Sequence, residues 1–143
     1  METNSWYSGP VIQAATALLD ADPAKQQRKH PRHRWERTLQ ACMLTAACTP
    51  TTPVFVRSLD LSQDGCSFLC RISVHVGTLG VLLLVTDQGG PQLRCFEVRN
   101  VRYVSNMVHL AGVCWHAMPE GLAIPVRMTG VGPRLFVDAD EAA

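Results

Sequence analysis

Val54-Phe-Val-Arg-Ser-Leu-Asp-Leu-Ser-Gln-Asp-Gly-Cys-Ser-Phe-Leu-Cys70 holds two short apolar runs separated by a polar break that ends in glycine. Val54 to Leu59 has the β-branched and aromatic content of a strand. Gly65 to Cys70 sets Cys66, Phe68 and Cys70 two residues apart, on one face of an extended chain. Between them, Asp60-Leu-Ser-Gln-Asp-Gly65 offers side chains that hydrogen-bond nearby backbone, and Gly65 permits a positive φ on entry to the next strand. Two strands flanking such a break predict β structure on both sides of a turn.

The same grammar extends in both directions. Leu39 to Leu44 reads as a strand, followed by the Thr/Pro-rich loop 49–53. Gly80 to Thr86 reads as a strand buried on both faces, and Asp87 to Pro91 as a glycine turn. Gln92 to Val104 puts Cys95, Glu97, Arg99 and Val101 on one face and Phe96, Val98 and Asn100 on the other. A Ser105-Asn106 turn joins it to a sixth strand, Met107 to Trp115. Six short strands at regular spacing predict an all-β, antiparallel barrel. Upstream, Pro10 and the stripe Val11, Ile12, Ala14, Ala15, Leu18, Leu19 predict a short helix over 10–22, stopped by Asp22-Pro23. Downstream, 122–128 reads as an edge strand or a tail, and 138–143 should fray. The expected organisation is a helical extension (1–24), a barrel domain (25–118) and a C-terminal extension (119–143).

Composition narrows the function classes. The chain has 143 residues, 47% hydrophobic and 17% charged, a globular balance and not a disordered one. The apolar run Leu79 to Val85 is too short to span a bilayer, and no secretory signal is visible, so a cytoplasmic location without membrane insertion is expected. The six cysteines form no Cys-x-x-Cys pair; they read as reduced core residues, with no metal site. His75, His109 and His116 lack the spacing of ligands or of a triad, and no nucleophile–base pair stands out, so an enzyme is not expected. Net charge is +1, yet residues 25–37 hold Lys25, Arg28, Lys29, Arg32, Arg34 and Arg37 against Glu36 alone. A local +5 marks an anionic partner or a solvated tail.

Two patterns carry chemistry. Arg28-Lys-His-Pro-Arg32 spaces two arginines on an irregular, proline-containing segment, and Asp60-x-Ser62-x-x-Gly65 follows a strand. Guanidinium forks suit phosphate oxygens or the O6 and N7 of guanine. An ionised Asp60 accepts from the N1/N2 edge of guanine, and Ser62 both donates and accepts. Separately each pattern is common, as a basic tail or as a side-chain-stabilised turn. A ligand that joins guanine to phosphate satisfies both.

In this order and setting, the two patterns resemble the PilZ domain, a family of bacterial receptors for cyclic di-GMP. Gly77 to Leu84 is similar to the family's strand after the motif turn. Val98 to Tyr103 and Leu110-Ala-Gly-Val-Cys-Trp115 are similar to its late strand pair, with Trp115 in place of the usual phenylalanine. The resemblance covers about residues 28–116. It implies a six-stranded antiparallel barrel and a non-catalytic receptor without a cofactor. Cyclic di-GMP would be held by Arg28, Arg32, Asp60, Ser62 and Gly65. The basic segment would wrap the ligand, and the messenger level would pass to a protein partner controlling motility, biofilm or exopolysaccharide. His33-x-x-x-Arg37 offers a second register, in which Arg34 or Arg37 replaces a named arginine. Trp35 reads as packing the segment on the barrel, with base stacking as the other option. The alternative is a PilZ-like protein-interaction adaptor that ignores nucleotide. Nucleic acid is not expected at a pI of 7.7.

Overall fold

The computed structural model describes residues 5–21, 31–85 and 90–136. A 3-10 turn, Ser5–Tyr7, precedes α1, Gly9–Asp20. The strands are β1 (His33–Arg34), β2 (Thr38–Met43), β3 (Val54–Leu61), β4 (Gly65–Cys70), β5 (Leu79–Val85), β6 (Pro91–Ser105), β7 (Val108–His116), β8 (Val126–Thr129) and β9 (Gly132–Leu135). Each expected barrel strand is present, within two residues of its expected ends. Asp22-Pro23, residues 86–89 of the expected strand end and glycine turn, and residues 138–143 lie outside the described residues.

β2, β3, β4, β7, β6 and β5 pair in that order, and β5 returns to β2, so six antiparallel strands close a barrel. A barrel this narrow is filled by side chains. Its interior holds Leu39, Val56, Cys66, Phe68, Cys70, Leu82, Phe96, Val98 and Val113 among others, and Phe68 meets Phe96 edge-on at 5.5 Å. Cys66, Phe68 and Cys70 share this inward face, as their spacing requires. Gly80 makes room for Phe96: a Cβ there would enter the phenyl ring.

Three register shifts break the period of two, one of them at Tyr103/Ser105 beside the β6–β7 turn. In β6 the register slips between Val98 and Asn100. Val101 therefore packs on the barrel interior with Phe96 and Val98, and not on the Cys95 face that simple alternation assigns to it. In β3 the register slips between Ser58 and Asp60. Leu59 stays in an outer cluster, as alternation from Val56 requires, while Leu61, beyond the slip, is turned onto the interior. The β6–β7 turn also differs from expectation by one residue. Asn106 and Met107 take the left-handed conformation (φ 48° and 68°), and Ser105 still pairs with Val108.

Two segments cover the outside of the barrel. Val11 and Ala15 of α1 are buried against Leu59, Leu69, Val108 and Leu110. At the other flank, Ile124 and Leu135 are buried against Cys42, Leu44, Val81 and Leu83. The C-terminal apolar stretch is thus neither a barrel edge strand nor a loose tail. β8 and β9 form their own hairpin, which lies over β2 and β5 and is tied by the Leu135 N–H to Gln40 Oε1 at 2.7 Å.

Candidate functional site

From Pro31 onward the chain lies along β3 beyond the reach of β2. β2 pairs with β3 from Val54 to Arg57, and β1 continues on the same side with His33 opposite Leu61 and Arg34 opposite Asp60. A buried serine pins the stretch that follows. Ser58 N–H donates to Arg37 O (2.9 Å), the Arg37 N–H donates to Ser58 Oγ (2.9 Å), and the Ser58 hydroxyl donates to Trp35 O (2.7 Å). The Trp35 N–H donates to Leu59 O at 2.9 Å, and its indole packs on the barrel interior.

The β3 bulge aims Asp60. Val56 lies in the interior, so strict alternation would send residue 60 inward as well. One extra residue turns Asp60 to the outer face instead, where its cross-strand partner is Ser67. Arg32 covers both. Its Nη1 donates to Ser67 Oγ at 2.6 Å and to Asp60 Oδ1 at 3.4 Å. The ion pair is largely shielded, with 15% of the arginine side chain and 12% of the aspartate exposed. Arg32 Nε is buried without a hydrogen-bond partner.

The other expected residues fall nearby. Ser62 shapes its own turn: its hydroxyl donates to Asp64 Oδ1 and its N–H to Gly65 O (2.9 Å). Trp115 braces that turn from β7, its N–H donating to Asp64 O (2.9 Å) and its indole Nε1–H to Ser62 O (3.4 Å). Arg94 stacks over the same indole, 4.4 Å from its centroid. Gly65 does not take a positive φ, contrary to the role expected of it. Its lack of a side chain matters for a different reason, because a Cβ would run into Val113 O of β7. Arg28 lies outside the described residues, as do Lys25, Lys29 and His30.

Arg32, Asp60 and the Ser62 turn therefore meet at one rim. Arg32 and Asp60 line a recess of about 110 Å³ against Thr16, Leu19 and Asp20 of α1. A separate cleft of about 530 Å³, which neither of them lines, opens between Pro31, His33, Arg34 and Trp35 on one side and Leu61, Ser62 and Gln63 on the other. That is within the ~300–1,000 Å³ common for small-ligand sites. Arg34 is held by Glu36 Oε2 (2.5 and 2.9 Å) and reaches Thr16 Oγ1 of α1 at 3.4 Å. Arg37 stacks 5.6 Å from the Trp35 centroid. Beneath the rim, burial pushes the Cys66 thiol up to about 12, and the neighbouring Asp60 carboxylate adds to the rise while Arg32 and Arg94 oppose it. Cys66 is thus a protonated core group and no nucleophile. No cluster of metal-ligating side chains occurs among the described residues.

Ser58 and Ser67 were not singled out by sequence reasoning. The available signal was a small polar residue inside each apolar strand, which costs stability unless it is hydrogen-bonded. Neither partner is close in sequence, so the signal does not say what the partner is.

No protein-family model matches the chain, and no curated protein matches it significantly. Among solved structures it is similar to MrkH, described as "a novel c-di-GMP dependence transcription regulatory factor". That similarity has 17% identity and a TM-score of 0.46, over 64% of this chain and 44% of the other. The K. pneumonia MrkH–c-di-GMP complex gives 16% identity and a TM-score of 0.46, over 62% and 43%. The chain thus spans less than half the length of these structures. Among the described residues, no helix is long and apolar enough to cross a membrane.

Proposed function

We propose that this chain is a PilZ-type, non-catalytic receptor for cyclic di-GMP. The observation that carries this reading is the meeting of Arg32 with Asp60, at 3.4 Å on the outer face of the barrel. It brings the basic segment and the Asp-x-Ser-x-x-Gly turn to one rim, as a ligand with both guanine and phosphate requires. The Arg32 guanidinium brings a positive charge to this rim, which suits a phosphate oxygen. The neighbouring cleft has the size and the aromatic wall for a base. In this reading Arg28, Arg32 and Ser62 contact the ligand, Asp60 holds both guanine and Arg32, and Gly65 lets β7 approach. The occupied rim would be read by a protein partner.

Calorimetric titration with cyclic di-GMP tests it. Micromolar binding is expected, about −8 kcal/mol. Arg32→Ala and Asp60→Ala should each weaken it about tenfold, the scale of one charged hydrogen bond. Full-strength binding by both variants would eliminate this site.

One observation favours a second reading. Arg32 and Asp60 already satisfy each other in part, as a purely structural pin for the segment would. A protein-interaction adaptor indifferent to nucleotide would be built the same way. Calorimetric silence from a folded wild-type protein, together with a partner recovered by pull-down, would select it.

A further inference from the structure

We infer that Ser67 is the positioning residue that holds Arg32 ready at the rim. The inference takes its consequence for binding, though not its geometry, from the nucleotide reading above.

Ser67 lies on β4, 1% exposed, between two strands. It faces Asp60 across the β3 pair and Gly112 across the β7 pair. Gly112 presents no side chain, and the space its Cβ would take is filled by the Asn100 side chain of β6. The Arg32 guanidinium reaches Ser67 from the Asp60 side, and its shortest hydrogen bond is to the Ser67 hydroxyl, 2.6 Å, against 3.4 Å to the Asp60 carboxylate. The carboxylate supplies the charge. The hydroxyl supplies direction, because it sits on a strand paired on both sides, with β3 and with β7. A buried hydroxyl must find a partner, and among the described residues Arg32 provides it.

The consequence is preorganisation. One nitrogen, Nη1, makes both bonds, and Nε is buried with no partner. The fork is therefore held in place through Nη1, with its positive charge kept at the rim. Immobilising a long side chain beforehand removes part of the ordering cost of binding. The Arg32 end of the basic segment is thus fastened before any ligand arrives. It does not have to be ordered by it.

Two measurements test this with different dependence on the ligand. In ¹⁵N-labelled protein without ligand, the Arg32 Nε–Hε resonance is assigned by its loss in Arg32→Lys. Ser67→Ala should raise its hydrogen exchange with water by about tenfold, the equivalent of one hydrogen bond to a charged group. An unchanged exchange rate overturns the inference, whether or not nucleotide binds. In calorimetry with cyclic di-GMP, Ser67→Ala should weaken binding about tenfold in the wild-type background and leave it unchanged in Arg32→Ala. Equal affinity in the wild-type background, or the same loss in both backgrounds, also overturns it. If wild-type protein binds no cyclic di-GMP, the nucleotide reading falls and the resonance alone decides the role of Ser67. Ser67→Cys keeps the volume with a weaker acceptor, and it replaces the alanine variant should that fail to fold.

Discussion

The barrel is covered on two flanks, and the covers differ in kind. Both bury apolar side chains on outward-facing strand residues: Val11 and Ala15 of α1 on one flank, Ile124 and Leu135 on the other. The α1 flank is also threaded with arginine contacts. Arg32 reaches Asp60 and Ser67, Arg34 reaches Glu36 and Thr16, and Arg102 Nη1 donates to Leu18 O at 3.2 Å. The hairpin flank shows one side-chain hydrogen bond to the barrel among the described residues, Leu135 N–H to Gln40 Oε1, and one arginine on an aromatic ring, Arg134 over Phe55 at 5.7 Å. Apolar burial is enough to hold a cover in place. The polar ties of the α1 flank go further, since Arg34 links the helix, at Thr16, to the rim proposed for the ligand. A ligand that pulls on Arg34 would have a hydrogen-bonded path to α1 and, among the described residues, none to the hairpin.

The largest expected effect sets the flanks directly against each other. Leu59→Ala and Leu135→Ala each empty a buried site and should each cost about 3 kcal/mol in urea unfolding. Only Leu59→Ala should also weaken cyclic di-GMP binding, since Leu59 lies beside Asp60 at the bulge. Equal effects of the two variants on affinity would erase the distinction between the flanks.

Gly65→Ala comes next, at about 2 kcal/mol, because the added methyl must push β4 away from the Val113 carbonyl. Equilibrium unfolding measures it. A cost near zero would show that this end of the barrel yields easily, and would remove the rigid footing on which the rim is built.

The smallest effect concerns the thiols. Burial pushes Cys42, under the hairpin, up to about 11, with a further rise from Cys95, and it pushes Cys66 up to about 12. A raised folded-state value means that the folded protein keeps a proton the unfolded chain releases. Stability from this source is complete below about pH 9 and declines as pH rises toward 11 and 12. Each thiol should remove about 1 kcal/mol between pH 8 and pH 10, read as a drop in the urea midpoint. Alkylation at pH 8 followed by mass spectrometry sharpens the comparison. Cys48 and Cys114, which are partly exposed, should label first. Labelling of Cys42 well before Cys66 would identify the hairpin as the flank that opens more readily.

Much of this was legible in the chain. The barrel could be read because closed antiparallel strands impose alternation and turn chemistry locally. Gly65 to Cys70 and the buried run around Val81 to Leu84 carry that signature within a few residues. The two-part basic and acidic pattern was legible too, because residue type and spacing are properties of the chain. The face of Val101 was misread, and the outward turn of Asp60 has no local signal, because a bulge is one unmarked residue that inverts every face after it. The hairpin over β2 and β5 was half legible: its apolar residues were visible, but their partners lie on strands far away in sequence.

The amino-acid order by itself determined the strand set, the inward-facing Cys66 and Cys70, and the chemical types of the Arg28/Arg32 and Asp60/Ser62/Gly65 patterns. The tertiary structure alone decided which groups touch. It turned Asp60 outward, brought Ser67 beneath Arg32 and gave Gly65 its place against β7. The physical reason is range. Periodicity and turn preference act over a few neighbours, whereas register, bulges and close backbone approach follow from the simultaneous packing of all six strands around one core.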